Sequence, residues 1–186
     1  AALRAAIEAQ NAGARVALAV KGQLGGVGLR GGGATASGTA TDRRGFWPVA
    51  PDGGPLSGAY EDVVQLGLGM ADPVIARIVA EEAPASRRVL ARLGVGGGPR
   101  QIFSVVSILA GVVRASPCAV HEDTMITRLL VDGGRCLGAV GVGERSGEII
   151  IFRAGAVILC TGGAAGLFKH NVHPSCVTGD GYSIGY

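Results

Sequence analysis

The chain is short of charge. Of its 186 residues 17% are charged, and 17 Lys+Arg against 14 Asp+Glu leave a formal net charge of +3. With 48% hydrophobic residues, it lacks the low hydropathy and high net charge that keep a chain disordered. So small a cationic surplus, with no long Lys/Arg run, is no footprint for nucleic acid. A long apolar run is also missing. The longest, residues 102–113, is broken by Ser104 and Ser107 and falls short of the roughly 20 residues that a membrane span needs. The first residues lack the charged region, apolar core and small-residue cleavage site of a secretory signal. Cysteine is scarce: Cys118, Cys136, Cys160 and Cys176 stand far apart with no Cys-x-x-Cys pair, which argues against a zinc site or a redox motif. A reducing, cytoplasmic compartment is expected.

Glycine is what the chain has in excess. There are 33 glycines, roughly 18% against about 7% in average proteins. They cluster instead of recurring at every third position, which excludes a collagen-like repeat. Such a surplus points to backbone passing close to something, or to many tight turns. The length suits one domain, or a piece of a larger one.

Along the chain, residues 1–12 read as a helix with an apolar face at Leu3 and Ile7 and a stop at Gly13. It starts in mid-pattern without an N-cap, so sequence upstream is expected. Arg15–Val20 reads as a short buried strand with little alternation, as in a parallel sheet. Residues 21–58 are rich in glycine and proline and read as loop. Helical periodicity begins at Tyr60 and resumes after Asp72, an N-cap with Pro73 at N1. A further turn runs from Arg87 to Leu93 and ends at Gly94, and Pro99–Val113 reads as another amphipathic helix. The period then changes. Cys118–Glu122, Met125–Asp132, Arg135–Gly143 and Glu148–Arg153 read as four short strands of an antiparallel meander, with turns at Asp132-Gly133-Gly134 and residues 144–147. Ala156–Cys160 reads as a second buried strand, running directly into Thr161-Gly162-Gly163.

Two glycine-rich turns thus follow buried strands, one from Lys21 onward and one at Thr161-Gly162-Gly163. At the carboxyl ends of parallel strands ligands bind in the crevice, and freed backbone N–H groups there satisfy phosphate oxygens. Plain strand–helix turns account for the glycines equally well. His170 and His173 have metal-like spacing, but Pro174 follows, no helix is evident and no Cys/Asp/Glu cluster accompanies them. A solvated loop is the better reading. Phe46 and Trp47 read as packing residues.

A meander that returns to a strand ending in Thr-Gly-Gly resembles the build of flavoproteins with a two-dinucleotide-binding fold. The chain resembles the flavoprotein subunits of succinate dehydrogenase and fumarate reductase, together with L-aspartate oxidase. Carrying the resemblance are Lys21-Gly22 after the strand, the Gly31-Gly32-Gly33-Ala34 run, Glu61-Asp62, and Leu129–Asp132 followed by Gly138-Ala139-Val140. The most specific blocks are Ala156–Ala164 and Thr178-Gly179-Asp180-Gly181.

The resemblance implies an α/β, Rossmann-like FAD/NAD(P)-binding domain with an inserted antiparallel β-meander, lacking its first strand. Residues 1–45 would supply a helix, the second strand and the Gly-rich FAD loop. Residues 60–114 would be helices, 117–153 the meander, and 156–186 the return strand and a cofactor-contacting segment. FAD is the implied cofactor. Lys21 sits where the family contacts its adenosine side. Gly25, Gly26, Val27, Gly28, Leu29, Arg30, Gly31, Gly32, Gly33 and Ala34 sit where a loop wraps it. Thr161, Gly162 and Gly163 lie beneath it, Asp180 hydrogen-bonds it, and Val120 or His121 approaches the adenine through backbone. Asp180 also reads as an N-cap for a helix beginning at Gly181.

Quinone-linked members tether flavin through a histidine, and residues 22–33 contain none, so the FAD is expected to be noncovalent. The loop has Gly25, Gly26, Val27 and Gly28 where the family usually has Ser or Thr, which removes one or two hydrogen bonds worth about 1 kcal/mol each. The short stretch 94–100 weighs against aspartate as substrate. The implied activity is an FAD-dependent oxidoreductase acting on a small dicarboxylate or amino acid. An iron-sulfur electron-transfer subunit is an implied partner, and neither nucleic acid nor a direct membrane span is expected. Catalytic residues would lie outside this stretch, and the stretch alone is expected to be inactive. The alternatives are a module using FAD structurally, as in tRNA-modification flavoproteins, and a nonfunctional truncated product.

Overall fold

A computed structural model describes residues 1–25, 56–94, 102–171 and 176–186. The chain divides into two compact units, Ala1–Thr35 with Leu109–Tyr186, and Ala36–Ile108.

In the first unit, α1 (Ala2–Asn11) buries Ala6 and Ile7. It ends as a Schellman motif. Gly13 takes a φ of +83°, its N–H donates to the Gln10 carbonyl (2.8 Å), and the Ala14 N–H donates to the Ala9 carbonyl (2.9 Å). The chain turns into β1 (Ala17–Ala19), which pairs in parallel with β2 (Ala119–His121): Ala17 lies opposite Ala119 and Ala19 opposite His121. Parallel pairing needs a long crossover, and roughly a hundred residues separate these strands.

This pairing corrects one expectation. Cys118–Glu122 does not open the meander, because its central residues are claimed by β1. The meander has three strands: β3 (Thr124–Asp132), β4 (Arg135–Gly143) and β5 (Ile149–Arg153), in the order β3-β4-β5. Asp132 faces Arg135 across Gly133 and Gly134, whose φ values of +54° and +76° suit a tight type I′ turn. Gly138 has a φ of +144°, and a Cβ there would run into the Phe152 carbonyl. The β4–β5 register therefore depends on glycine at that position. The ring of His121 meets the Phe152 ring edge-on at 4.9 Å, which ties β2 to β5.

A second expectation also changes. Residues 156–160 form no strand and pair with no other described residue. Their apolar run is not buried: Ile158 is 66% exposed. The apolar composition alone does not make a strand where no neighbouring strand supplies the ladder. β1 is likewise only half-buried, with one strand neighbour among the described residues.

The part of α4 (Ile102–Arg114) in this unit buries Leu109, Ala110 and Val113. Their spacing places them on one helix face. Beyond its end the Ser116 hydroxyl donates to the Val113 carbonyl (2.7 Å) and lies 3.0 Å from the Gln10 side-chain oxygen of α1.

The second unit holds α2 (Leu56–Leu66) and α3 (Pro73–Arg92). Asp72 caps α3, its carboxylate accepting from the N–H groups of Val74 (2.8 Å) and Ile75 (3.2 Å). Pro73 occupies N1, and α3 runs as one helix through the segment expected as a separate turn, with Pro84 inside it. Ala80 and Ala83 are buried against Tyr60, over whose ring the Arg77 guanidinium sits at 5.1 Å. Among the described residues, no helix is long and apolar enough to cross a membrane.

Candidate functional site

The site begins where β1 ends. Lys21 is the second residue after that strand, at the carboxyl end of a parallel pair. Its ammonium donates to the Thr178 hydroxyl (2.6 Å) and to Asp180 Oδ2 (2.7 Å), and the Thr178 hydroxyl donates to Asp180 Oδ1 (2.7 Å). Residues more than 150 positions apart thus close a triangle. The Lys21 and Asp180 side chains are 26% and 30% exposed. The hydrogen bond from Lys21, reinforced by that from Thr178, holds the Asp180 carboxyl below the usual carboxylate range, against a smaller opposing effect of burial.

Asp180 is the first residue of α5 (Asp180–Gly185), whose N-cap is Gly179 with a φ of +77°. The expected N-cap role of Asp180 is corrected accordingly: its carboxylate is turned to Lys21 and Thr178, and no side chain caps this helix.

Glycine brings the 161 turn to this cluster. A Cβ on Gly181 would strike the Thr161 side chain, one on Gly179 would come within 2.8 Å of Ala164 Cβ, and one on Gly166 within 2.6 Å of the Val177 carbonyl oxygen. The Gly166 N–H donates to that same carbonyl (2.7 Å). Residues 161–166 and 177–181 therefore lie together because these glycines have no side chains. A different set has open space. Among the described residues, a Cβ on Gly22 (φ +90°) or Gly162 (φ +78°) would come within 4 Å of no other atom, and one on Gly163 would meet only Val177, at 3.9 Å. Their backbone is approachable from outside.

The turn after β1 is held from the side. Both backbone polar groups of Leu24, itself buried, are taken by side chains. Its N–H donates to Glu122 Oε1 (2.8 Å), and its carbonyl accepts from Arg114 Nη2 (3.2 Å). Arg114 and Glu122 also pair at 2.6 Å. The Leu24 N–H first, and Arg114 second, pull the Glu122 carboxyl below its ordinary pKa. Asp123 adopts a left-handed φ of +48° and donates its N–H to the Gly22 carbonyl (2.7 Å). Its carboxylate accepts from Gln23 (3.1 Å) and pairs with Arg145 (3.1 Å).

Of the residues that the sequence marks, the structure brings Lys21, Asp180 and the Thr161-Gly162-Gly163 turn into one neighbourhood. Gly25 closes the held turn with a φ of +78°. Val120 lies in β2, opposite Leu18. Gly26, Val27, Gly28, Leu29, Arg30, Gly31, Gly32, Gly33 and Ala34 fall outside the described residues, as does His173. Glu122, Arg114 and Asp123 take part in ways that sequence reasoning misses, and Thr178, marked only as part of a motif block, gains the partners Lys21 and Asp180. Thr178 carries a signal, a hydroxyl two residues before an acid, whereas nothing local marks Glu122 or Arg114 as partners of Leu24.

The set suits a ligand that carries both anionic oxygens and hydroxyl groups. Lys21 has three N–H donors and spends two on described residues. The Asp180 carboxylate has roughly four acceptor positions and spends one on each oxygen. With the open glycines beside them, these residues fit the sugar-phosphate part of a dinucleotide.

Residues 99–186 match the FAD binding domain family. The chain is 29% identical over 151 residues to a fumarate reductase (CoM/CoB) polypeptide of Methanothermobacter marburgensis, covering 68% of this chain and 28% of that protein. It is 28% identical over 150 residues to L-aspartate oxidase of Caulobacter vibrioides, covering 66% and 29%. Among solved structures it resembles Mycobacterium smegmatis Sdh1 in complex with UQ1 (TM-score 0.71, 26% identity, 98% of this chain and 35% of that one). It shares its fold with FrdA of Escherichia coli quinol fumarate reductase (TM-score 0.74, 23% identity, 97% and 34%). The chain thus spans under a third of the length of the curated relatives named here. These similarities support FAD as the cofactor.

Proposed function

From a chain related to fumarate reductase flavoproteins and L-aspartate oxidase, with an FAD binding domain match over residues 99–186, we propose that this protein is the FAD-holding part of a flavin oxidoreductase. In this reading hydride passes between flavin and a carbon next to a carboxylate in a small dicarboxylate or amino-acid substrate. The observation that carries the reading is the Lys21–Thr178–Asp180 triangle, which joins the end of β1 to a segment of the matched region. FAD, when bound, supplies the two-electron chemistry.

The chain's own residues bind and orient. Lys21 has an ammonium N–H that no described residue takes, for a phosphate or ribose oxygen. Asp180 keeps acceptor positions for sugar hydroxyls, and its pairing with Lys21 limits the net charge that the cofactor meets. Gly162 and Gly163 let backbone approach where a side chain would stand off. Thr161, packed against Gly181, holds that turn against the start of α5. The cofactor is held without a covalent bond, since residues 22–33 contain no histidine. An iron-sulfur protein as electron partner and a cytoplasmic setting belong to the same proposal.

The test is turnover. Protein expressed from its intact gene is loaded with FAD, reduced anaerobically and mixed with a panel of unsaturated dicarboxylates and imino acids. Reoxidation of the flavin by one of these, in step with formation of the saturated product, is the expected result. A flavin that is reoxidised by none of them, though still bound, contradicts the substrate class and leaves a structural FAD module.

A further inference from the structure

We infer that the Glu122–Arg114 pair is a positioning device for the cofactor, acting by holding the backbone of the Lys21–Gly25 turn. The inference rests on the FAD reading above. A buried backbone N–H and carbonyl need partners, and at Leu24 these do not come from a strand. Glu122 accepts from its N–H at 2.8 Å and Arg114 donates to its carbonyl at 3.2 Å, while the two side chains pair with each other at 2.6 Å. The pair does what a neighbouring strand would do for one residue.

The same turn is held at its other residues by the stretch that follows β2. Thr124 N–H reaches the Val20 carbonyl (2.9 Å), Asp123 N–H the Gly22 carbonyl (2.7 Å), and Gln23 the Asp123 carboxylate (3.1 Å). Asp123 can do this because it takes a left-handed φ of +48°, which Asp tolerates better than most residues. Every residue flanking Lys21 is therefore fixed by a side chain or backbone from 114–124, and the direction in which Lys21 leaves the sheet is fixed with them. The glycines in the turn, Gly22 and Gly25, cannot do this themselves, since glycine is the least restrained residue. Arg114 sits in the last turn of α4, one residue after Val113, which is fully buried. A packed helix end thus anchors the clamp.

In this proposal the pair acts through the Lys21 turn, since its observed partners are each other and the Leu24 backbone. That separates it from a merely stabilising salt bridge. With Arg114 at 53% exposed, the ion pair contributes little to global stability, so the expected consequence is local.

The experiment compares parent, Glu122→Ala and Glu122→Gln, all expressed from the intact gene. Amide hydrogen exchange over residues 21–25 is read without FAD, and FAD affinity and the bound flavin's absorbance spectrum are read well below the melting temperature. Glu122→Ala is expected to speed exchange at Leu24 and to weaken FAD binding by about tenfold to a hundredfold, the affinity span being that of one lost hydrogen bond to a charged group, while leaving the flavin spectrum as in the parent, because Lys21 is assigned to the adenosine end of the cofactor. Glu122→Gln, which keeps a side-chain oxygen for the Leu24 N–H, is expected to recover most of the affinity. Should Glu122→Ala not fold, Arg114→Gln replaces it: it spares the Glu122–Leu24 bond and is expected to show a smaller loss in the same readouts. FAD affinity equal to the parent's in these variants, whatever their melting temperature, would overturn the inference while leaving the FAD reading intact. A parent that takes up no FAD would overturn both, with the exchange data still reporting whether the clamp exists.

Discussion

Lys21 and Asp180 neutralise each other across 2.7 Å, and that single contact sets what acid does to the site. Because Asp180 titrates below the usual carboxylate range, chiefly through the hydrogen bond from Lys21 and then that from Thr178, folding favours its ionised form. Its contribution to stability is complete above the ordinary Asp pKa of about 3.9, and it is lost as pH falls through the lower folded value. Removing the charge should remove this dependence. In acid denaturation, the stability advantage of the parent over Asp180→Asn is expected to shrink as pH drops below about 4. Curves that stay parallel throughout would contradict the pairing. At neutral pH the stability difference should be small, since both partners are partly exposed and such pairs contribute about 0–1 kcal/mol. FAD affinity in Asp180→Asn should nevertheless fall by about tenfold or more, because a charged acceptor is lost to the sugar hydroxyls. Equilibrium titration with FAD checks this, and an unchanged affinity would restrict Asp180 to holding Lys21.

At the level of elements, local signals are legible wherever the deciding atoms lie within a few residues of each other. The Gly13 stop, the Asp72 cap with Pro73, and the Gly133-Gly134 turn are such cases, and each appears in the structure. Partner choice is not legible. Nothing in Ala119–His121 says that its ladder goes to β1 and not to the meander, and the apolar run 156–160 reads as a strand although no described residue pairs with it. The site divides the same way. Lys21 and Asp180 stand in motif blocks, whereas Glu122 and Arg114 meet Leu24 only through tertiary structure. The glycines, numerous in sequence, separate once their surroundings are known. Gly138→Ala in β4 meets both a positive φ and the Phe152 carbonyl, whereas Gly147→Ala in the β4–β5 loop meets a positive φ and open space. Thermal denaturation should find Gly147→Ala less stable by about 1–2 kcal/mol, and Gly138→Ala worse by about a further 1–3 kcal/mol. Equal losses would show that the β4–β5 register does not depend on close approach at Gly138.

For the whole molecule, the unit built from 1–35 and 109–186 carries every described residue assigned to the cofactor, and the sequence between them forms a compact unit of its own. The matched region begins at residue 99, yet Lys21 lies far outside it in sequence. In the proposed reading one flavin engages both Lys21 and the matched region, held by hydrogen bonds and ion pairs alone. The most direct measurement is acid precipitation of FAD-loaded protein expressed from the intact gene, run in parallel on parent and Lys21→Ala. The parent is expected to take up FAD and to release it into the acid supernatant, leaving a colourless pellet, and Lys21→Ala is expected to retain far less after gel filtration. Colour kept in the pellet, a parent that takes up no FAD, or a Lys21→Ala protein that holds FAD as the parent does would contradict it.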